Sequence, residues 1–264
     1  TTFSPVLGNS IRIMEKVKVE LLEKYEYNSR FEKAQKIESI LKDFLQLDGD
    51  RLKQATCLDI GCAIGVITAH LADTFGHVIG VDPLKEAIQL AQHLHVNSTA
   101  HFMQGDGLRL PFADASFDVV ICAQVYEHSS APELLTQEIW RVLVPGGCCF
   151  FSGPNRLWPF EYHYRWYILH WFPHFILHPY VRYRYGHDFD LELYTPWQLF
   201  AIWQRFERYD YTLELIYNSA NFLGTPSIPA WARLLPRPLI EKFHYLLPNF
   251  NWILRKPTNL SEDN

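Results

Sequence analysis

Asp59, Gly61, Gly65 and Asp82 are the residues whose types and spacing first suggest chemistry. Leu58 to Gly65 reads LDIGCAIG, an apolar run that closes on Asp59-Ile60-Gly61 and continues through Cys62-Ala63-Ile64-Gly65 into helix-like residues. That order predicts a strand, a tight turn and a helix N-terminus at the carboxyl edge of a sheet, where open α/β sheets bind ligands. Glycine at 61 lets the backbone approach a ligand, and glycine at 65 lets the helix pack against the strand. The next apolar run ends Gly80-Val81-Asp82. Its carboxylate lies about 20 residues beyond the turn, the spacing at which it can accept two hydrogen bonds from a ribose diol. A nucleoside-containing ligand is expected. Nicotinamide enzymes share both features, so these residues leave the reaction open.

The elements that must hold these residues are short apolar runs closed by Gly or Asp, alternating with helical segments, which is the pattern of parallel βα units. Strands are expected at about 55–60, 77–82, 100–104, 117–123 and 147–152, with helices over Gly65–Phe75, Pro83–Leu94 and Pro132–Leu143. Pro145-Gly146-Gly147 is read as a helix stop and turn. Ahead of them Phe31, Ala34, Ile37, Leu41, Phe44 and Leu45 recur at helical spacing. Ser29 with Glu32 forms a capping-box signature, so Ser29 to Leu47 is an expected amphipathic helix. A weaker helical stretch at 11–25 completes a helical preface over residues 1–54. After Gly153 the alternation breaks. Thr195-Pro196-Trp197-Gln198 then caps a helix expected to reach about Glu207, a strand is expected at about 211–217, and NWILR at 251–255 reads as a last strand. Residues 222–248 become an insertion between two strands.

Composition narrows the classes. With 48% hydrophobic and 20% charged residues the chain has the make-up of a soluble globular protein with a sizeable core. The formal charge is −5 and Lys and Arg are scattered, which opposes a nucleic-acid partner. Cys57, Cys62, Cys122, Cys148 and Cys149 are odd in number and hold no C-x-x-C pair, so neither a disulfide framework nor a structural zinc site is expected, and the cytosol is the natural compartment. No charged start, apolar run and cleavage site opens the sequence, so no secretory leader is expected in it. The unusual feature is 15% aromatic content, concentrated after Gly153.

Four motifs together decide between the nucleoside readings: LDIGCAIG, VIGVDP at 78–83, GDGLRLPFADASFDVVICAQVYEH at 105–128, and IWRVLVPGG at 139–147. In this order and spacing they resemble the class I S-adenosylmethionine-dependent methyltransferases, over about residues 55–152. The resemblance implies an α/β, Rossmann-like, mostly parallel seven-stranded sheet with helices on both faces. It would form one domain over 55–264, with aromatic lid or acceptor insertions at 153–210 and 222–248. It also implies S-adenosyl-L-methionine as cofactor, with the Gly61 turn cradling the methionyl part, Asp59 near its amino group, and Asp82 with Pro83 at the ribose. Asp106 and Gly107 would lie at the adenine, and the backbone of Ala123 and Gln124 against the methionine moiety. One departure stands in the turn, where Ala63 replaces a glycine usual in the family; alanine is small, so binding is expected to survive.

Methyl transfer from a sulfonium is an in-line displacement of an activated leaving group, so alignment and desolvation carry much of the catalysis. A base is needed only where the acceptor must lose a proton. The resemblance places Glu127 and His128, after the fourth strand, as candidates, and His163 with Tyr162 as groups lining the acceptor pocket. The histidines at 163, 170, 174 and 178 form no strong ligand motif, and no metal is expected.

Residues 157–185 hold Trp158, Phe160, Trp166, Trp171, Phe172 and Phe175 among prolines, histidines and Arg165, a composition that opposes a spanning helix. It fits an aromatic-walled acceptor pocket, a surface resting at a membrane interface, or ordinary packing over the sheet. This half also resembles, loosely, bacterial methyltransferases found near cell-surface glycan and lipid genes. The expected acceptor is therefore small or lipid-like, with oxygen the first choice of acceptor atom. The expected location is cytoplasmic, with peripheral contact at the inner face of a membrane. The rival readings are a nicotinamide oxidoreductase, which would want a full G-x-G-x-x-G turn, and a cofactor-binding scaffold or membrane-docking module without catalysis.

Overall fold

The computed structural model describes residues 27–161, 166–186, 191–218, 222 and 236–258. The chain divides into two compact units, residues 1–107 and 108–264, and the boundary falls inside the region read from sequence as one domain.

The first unit holds α1 (Tyr27–Leu45), α2 (Gly49–Gln54), β1 (Thr56–Ile60), α3 (Val66–Leu71), β2 (His77–Asp82), α4 (Lys85–Leu94) and β3 (His101–Gln104). β1 pairs with β2, and β2 with β3, in parallel. α1 buries Ala34, Ile37, Ile40 and Leu41, spaced three and four apart along one stripe. The helix already includes Tyr27, so Ser29 lies within it and does not cap it. Polar contacts fix α1 beside α3. Glu38 accepts from Lys42 Nζ at 2.6 Å and from the Thr74 hydroxyl, and His70 Nε2 lies 2.7 Å from its other oxygen. Burial alone would push the Glu38 carboxyl up, but these donors outweigh it and hold it below the usual carboxylate range. The stretch at 11–25 lies outside the described residues.

The second unit holds β4 (Phe117–Ala123), α5 (Pro132–Val142), β5 (Leu143–Pro154), β6 (Phe160–Glu161), β7 (Trp166–Tyr167), α6 (His174–Tyr185), α7 (Pro196–Ile202), β8 (Glu207–Asp210), α8 (Thr212–Tyr217), α9 (Arg237–Phe243) and β9 (Asn249–Arg255). β4 and β5 are parallel, while β9 runs antiparallel to both β5 and β8. The strand order of the seven-stranded sheet is β3, β2, β1, β4, β5, β9, β8, and β6 with β7 makes a separate hairpin. Among the described residues no helix is long and apolar enough to cross a membrane.

Three sequence expectations fail here. The strand expected at 211–217 is the helix α8, and the strand beside β9 is the preceding Glu207–Asp210. Asp210 Oδ1 accepts from the Thr212 N–H at 2.8 Å, a side-chain turn that starts α8 and ends the strand. The helix from Thr195 accordingly stops at Ile202, although its capping box with Gln198 is present. Pro145-Gly146-Gly147 does not end a helix. α5 stops at Val142, and these residues form a bulge in β5, since Phe117 pairs with Leu143 but Val119 with Cys148. Much of the expected 222–248 insertion lies outside the described residues.

Candidate cofactor turn and the groups after the fourth strand

In the first unit β1 ends on a turn that backbone geometry makes tight: Gly61 has φ +70°, Ala63 φ +49° and Gly65 φ +79°. Gly65 is fixed twice over, by its left-handed backbone and because a Cβ there would collide with the Phe102 ring. Ala63 holds a left-handed conformation that costs an L-residue about 1–2 kcal/mol. The small size of alanine spares space in the turn but does not relieve this strain.

What holds Ala63 is Asp82. Its Oδ2 accepts from the Ala63 N–H and its Oδ1 from the Leu84 N–H, both at 2.9 Å. Asp82 is buried and ties the two strand ends together while starting α4. A carboxylate has about four acceptor positions, so one on each oxygen remains for a diol. The N–H groups of Gly61 and Cys62 both donate to Val81 O, at 2.8 and 3.1 Å, and that of Gly65 to Cys62 O at 2.9 Å. The turn therefore offers few backbone donors to an anion.

Asp59, in β1, is buried and accepts from the Thr68 hydroxyl at 2.6 Å. Burial pushes its carboxyl up to about 7, against the Thr68 hydrogen bond and the charge of Arg30, which favour the ionised form. A cation beside it would reverse the balance. Thr68 escaped the sequence reading; its signal is its place on the helix after the turn, where the chain doubles back along β1. Pro83 is exposed, and its carbonyl accepts from Gln104 Nε2 at 2.9 Å. Asp106 is exposed just beyond β3, with Gly107 half-buried beside it.

In the second unit β4 ends on Ala123, which pairs with Ser152, and Gln124 takes φ +60° as its N–H donates to Ser152 O at 2.8 Å. A single 3₁₀ turn over Tyr126–His128 follows. It separates the two base candidates: Glu127 is fully buried and His128 is exposed. Tyr126 anchors the turn. Its ring fills space that Gly153 leaves, its hydroxyl donates to Pro154 O, and the hydroxyl oxygen accepts from the Tyr194 N–H at 3.4 Å. Burial pushes the Tyr126 phenol well up, so it remains a donor. Asn155 Nδ2 donates to Tyr245 O at 2.6 Å and Leu247 O at 2.8 Å, holding the chain before β9. Glu161 ends β6, while Tyr162 and His163 lie outside the described residues. His170 is buried with Nε2 3.0 Å from Arg156 O.

Two of the recognition motifs meet through one side chain. Arg141 holds Glu138 with two parallel bonds of 2.7 and 2.8 Å and donates to Leu110 O, Phe112 O and Asp114. It thereby closes the LRLPFAD loop onto α5. A cavity of about 660 Å³ lies along α5 and α7, with Trp140, Arg205 and Lys256 in its wall and Arg205 stacked 4.2 Å over the Trp140 ring. It borders the residues before β4 and at the start of β5, and not the carboxyl ends where α/β sheets bind ligands.

The methyltransferase domain family matches residues 58–151. The chain is 34% identical over 115 residues to an uncharacterized methyltransferase of Mycobacterium avium, covering 44% of this chain and 46% of that one. It is 30% identical over 133 residues to a ubiquinone biosynthesis O-methyltransferase of Idiomarina loihiensis, covering 49% and 54%. The chain thus spans about half the length of the curated relatives it matches. In fold it is similar to a SAM-dependent methyltransferase of Methanosarcina mazei, with a TM-score of 0.54, 20% identity, and coverage of 78% of this chain and 94% of that one. Over residues 58–151 the chain is thus similar to a methyltransferase domain.

Proposed function

We propose that the protein transfers a methyl group from S-adenosyl-L-methionine to the oxygen of a small or lipid-like acceptor. The observation that carries the cofactor reading is the turn itself. Its backbone donors at 61, 62, 63 and 65 have acceptors within the chain, and a buried carboxyl, Asp59, stands at the strand end. A ligand with sulfonium and ammonium charges is favoured by such a buried carboxyl, whereas an anionic pyrophosphate is not. The residues present therefore fit the methionine cofactor. Asp59 would hold the amino group, Asp82 the ribose hydroxyls and Asp106 the adenine amino group.

When bound, the cofactor supplies a methyl group on an already activated sulfur, which leaves binding, alignment and proton removal to the chain. We assign proton removal to His128, the exposed one of the two groups in the turn after β4. With the cofactor bound, the His128 imidazole would take the hydroxyl proton as the acceptor oxygen is methylated. The oxygen acceptor draws support from the ubiquinone-pathway relative, named for O-methylation, and the lipid-like class from the aromatic second unit.

The experiment is incubation of the protein with isotope-labelled cofactor and cell extract, followed by mass spectrometry for products heavier by one methylene. Label should enter the small-molecule or lipid fraction. His128→Ala should lower turnover by about 10²–10⁴-fold while leaving cofactor affinity unchanged. Label confined to protein or nucleic acid contradicts the acceptor reading.

A further inference from the structure

The residues after β5 carry an exposed apolar surface to which no step of methyl transfer is assigned. Trp166 and Tyr167 in β7, Trp171 and Phe172 in the loop, and Phe175, Ile176 and Tyr183 on α6 are all exposed, Phe175 by 77%, Tyr167 by 67% and Tyr183 by 90%. These side chains are displayed on an ordered base. Trp166 packs on Tyr180 with ring centroids 5.2 Å apart, and Trp171 Nε1 donates to Arg156 O at 2.7 Å. The inner side of α6 buries Leu177 and Val181 against Leu191. At 100° per residue Phe175, Ile176, Pro179 and Tyr183 share the opposite side, so α6 is apolar on both faces and one of them meets solvent.

Charge says what covers that face. From Trp166 to Gly186 the sequence contains no Asp or Glu, whereas it holds Arg182, Arg184, His170, His174 and His178, within a chain of net charge −5. A hollow of about 490 Å³ flanks the apolar stripe, with His178, Pro179, Arg182 and Tyr183 in its wall. Trp, Tyr and Phe beside Arg on a surface helix match the interfacial layer of a bilayer, where rings enter the headgroup boundary and guanidinium groups meet lipid phosphate. A second copy of the chain fits worse: a two-fold contact through this face would set Arg182, at its rim, against its own copy, and the segment from Trp166 to Gly186 has no acid to compensate.

We infer that the face formed by β7, the loop after it and the outer side of α6 docks on the surface of a membrane containing anionic lipid. The inference is independent of the acceptor reading, because docking is measured without cofactor or acceptor. The full chain is co-sedimented with vesicles of phosphatidylcholine, with and without phosphatidylglycerol, at low and high salt. Binding to the anionic vesicles should exceed binding to the neutral ones by about tenfold or more and weaken with salt. Tyr183→Ser, alone and with Phe175→Ser, should reduce it by about tenfold while the melting temperature holds. Arg182→Gln with Arg184→Gln should remove the preference for anionic lipid. Absence of vesicle binding, or binding that none of these variants changes, overturns the inference. So does a concentration-dependent dimer in sedimentation velocity that Tyr183→Ser abolishes and vesicles do not displace.

Discussion

The segment from Leu58 to Leu84 and the segment from Trp166 to Gly186 use their side chains in opposite directions. The first turns its carboxylates inward: Asp59 and Asp82 are buried, and every hydrogen bond described for them goes to a residue within the segment. The second turns its largest apolar groups outward and, among the described residues, keeps Leu177 and Val181 of α6 as core. A ligand that fits the first must satisfy groups already fixed by the fold. A partner of the second must cover a broad face without a unique geometry. Substitutions should therefore have sharp, position-specific effects in the first segment and small effects on stability in the second.

The largest contrast is steric. Gly65→Ala adds a Cβ against the Phe102 ring at a left-handed backbone position, and should cost about 2–5 kcal/mol of stability in denaturant unfolding. Tyr183→Ala should stay within about 0.5 kcal/mol. Equal costs would erase the contrast. Next is Asp82→Ala. It orphans the Ala63 and Leu84 N–H groups, and should lower stability by about 1–3 kcal/mol and weaken cofactor binding by about the same amount. A loss of stability with unchanged affinity would make Asp82 purely a scaffold for the turn.

A pH titration sharpens the comparison further. Burial keeps Asp59 protonated up to about pH 7 in the ligand-free chain, and a cationic ligand favours its ionised form. Binding then expels a proton wherever the pH lies below that value. Affinity should rise by up to about tenfold per unit as pH climbs toward 7 and level off above it. Asp59→Asn should flatten this dependence, as calorimetry at several pH values would report. A slope that survives in Asp59→Asn points to another group. The smallest effect is Ala63→Gly, which relieves the left-handed strain and should stabilise the chain by about 1 kcal/mol or less, with cofactor affinity unchanged. A loss of stability there would mean that alanine is not strained.

The same division explains what could be read from the sequence. β1, β2 and β4 lie where the apolar runs place them, because buried parallel strands are continuous apolar segments ended by turn residues. Asp59, Asp82 and the turn were visible for the same reason. Thr68 was not, since its bond to Asp59 exists only once α3 has folded back. Arg141 could be seen as part of a motif, but its clamp on Leu110, Phe112 and Asp114 could not. The segment TLELIY alternates well enough to read as a strand, and only the Asp210 turn before it makes it a helix. Glu127 and His128 are neighbours in sequence, and the 3₁₀ turn sends one inward and one outward. The aromatic content after Gly153 announced a special surface without saying which rings face out, because residue type alone carries no direction.

The most direct test of the central claim is calorimetric titration of the full chain with S-adenosylmethionine and, separately, with NADH. The account predicts one-site binding of S-adenosylmethionine, weakened about tenfold or more by Asp82→Ala, and no binding of NADH. Binding of NADH alone, or of neither ligand, would contradict it.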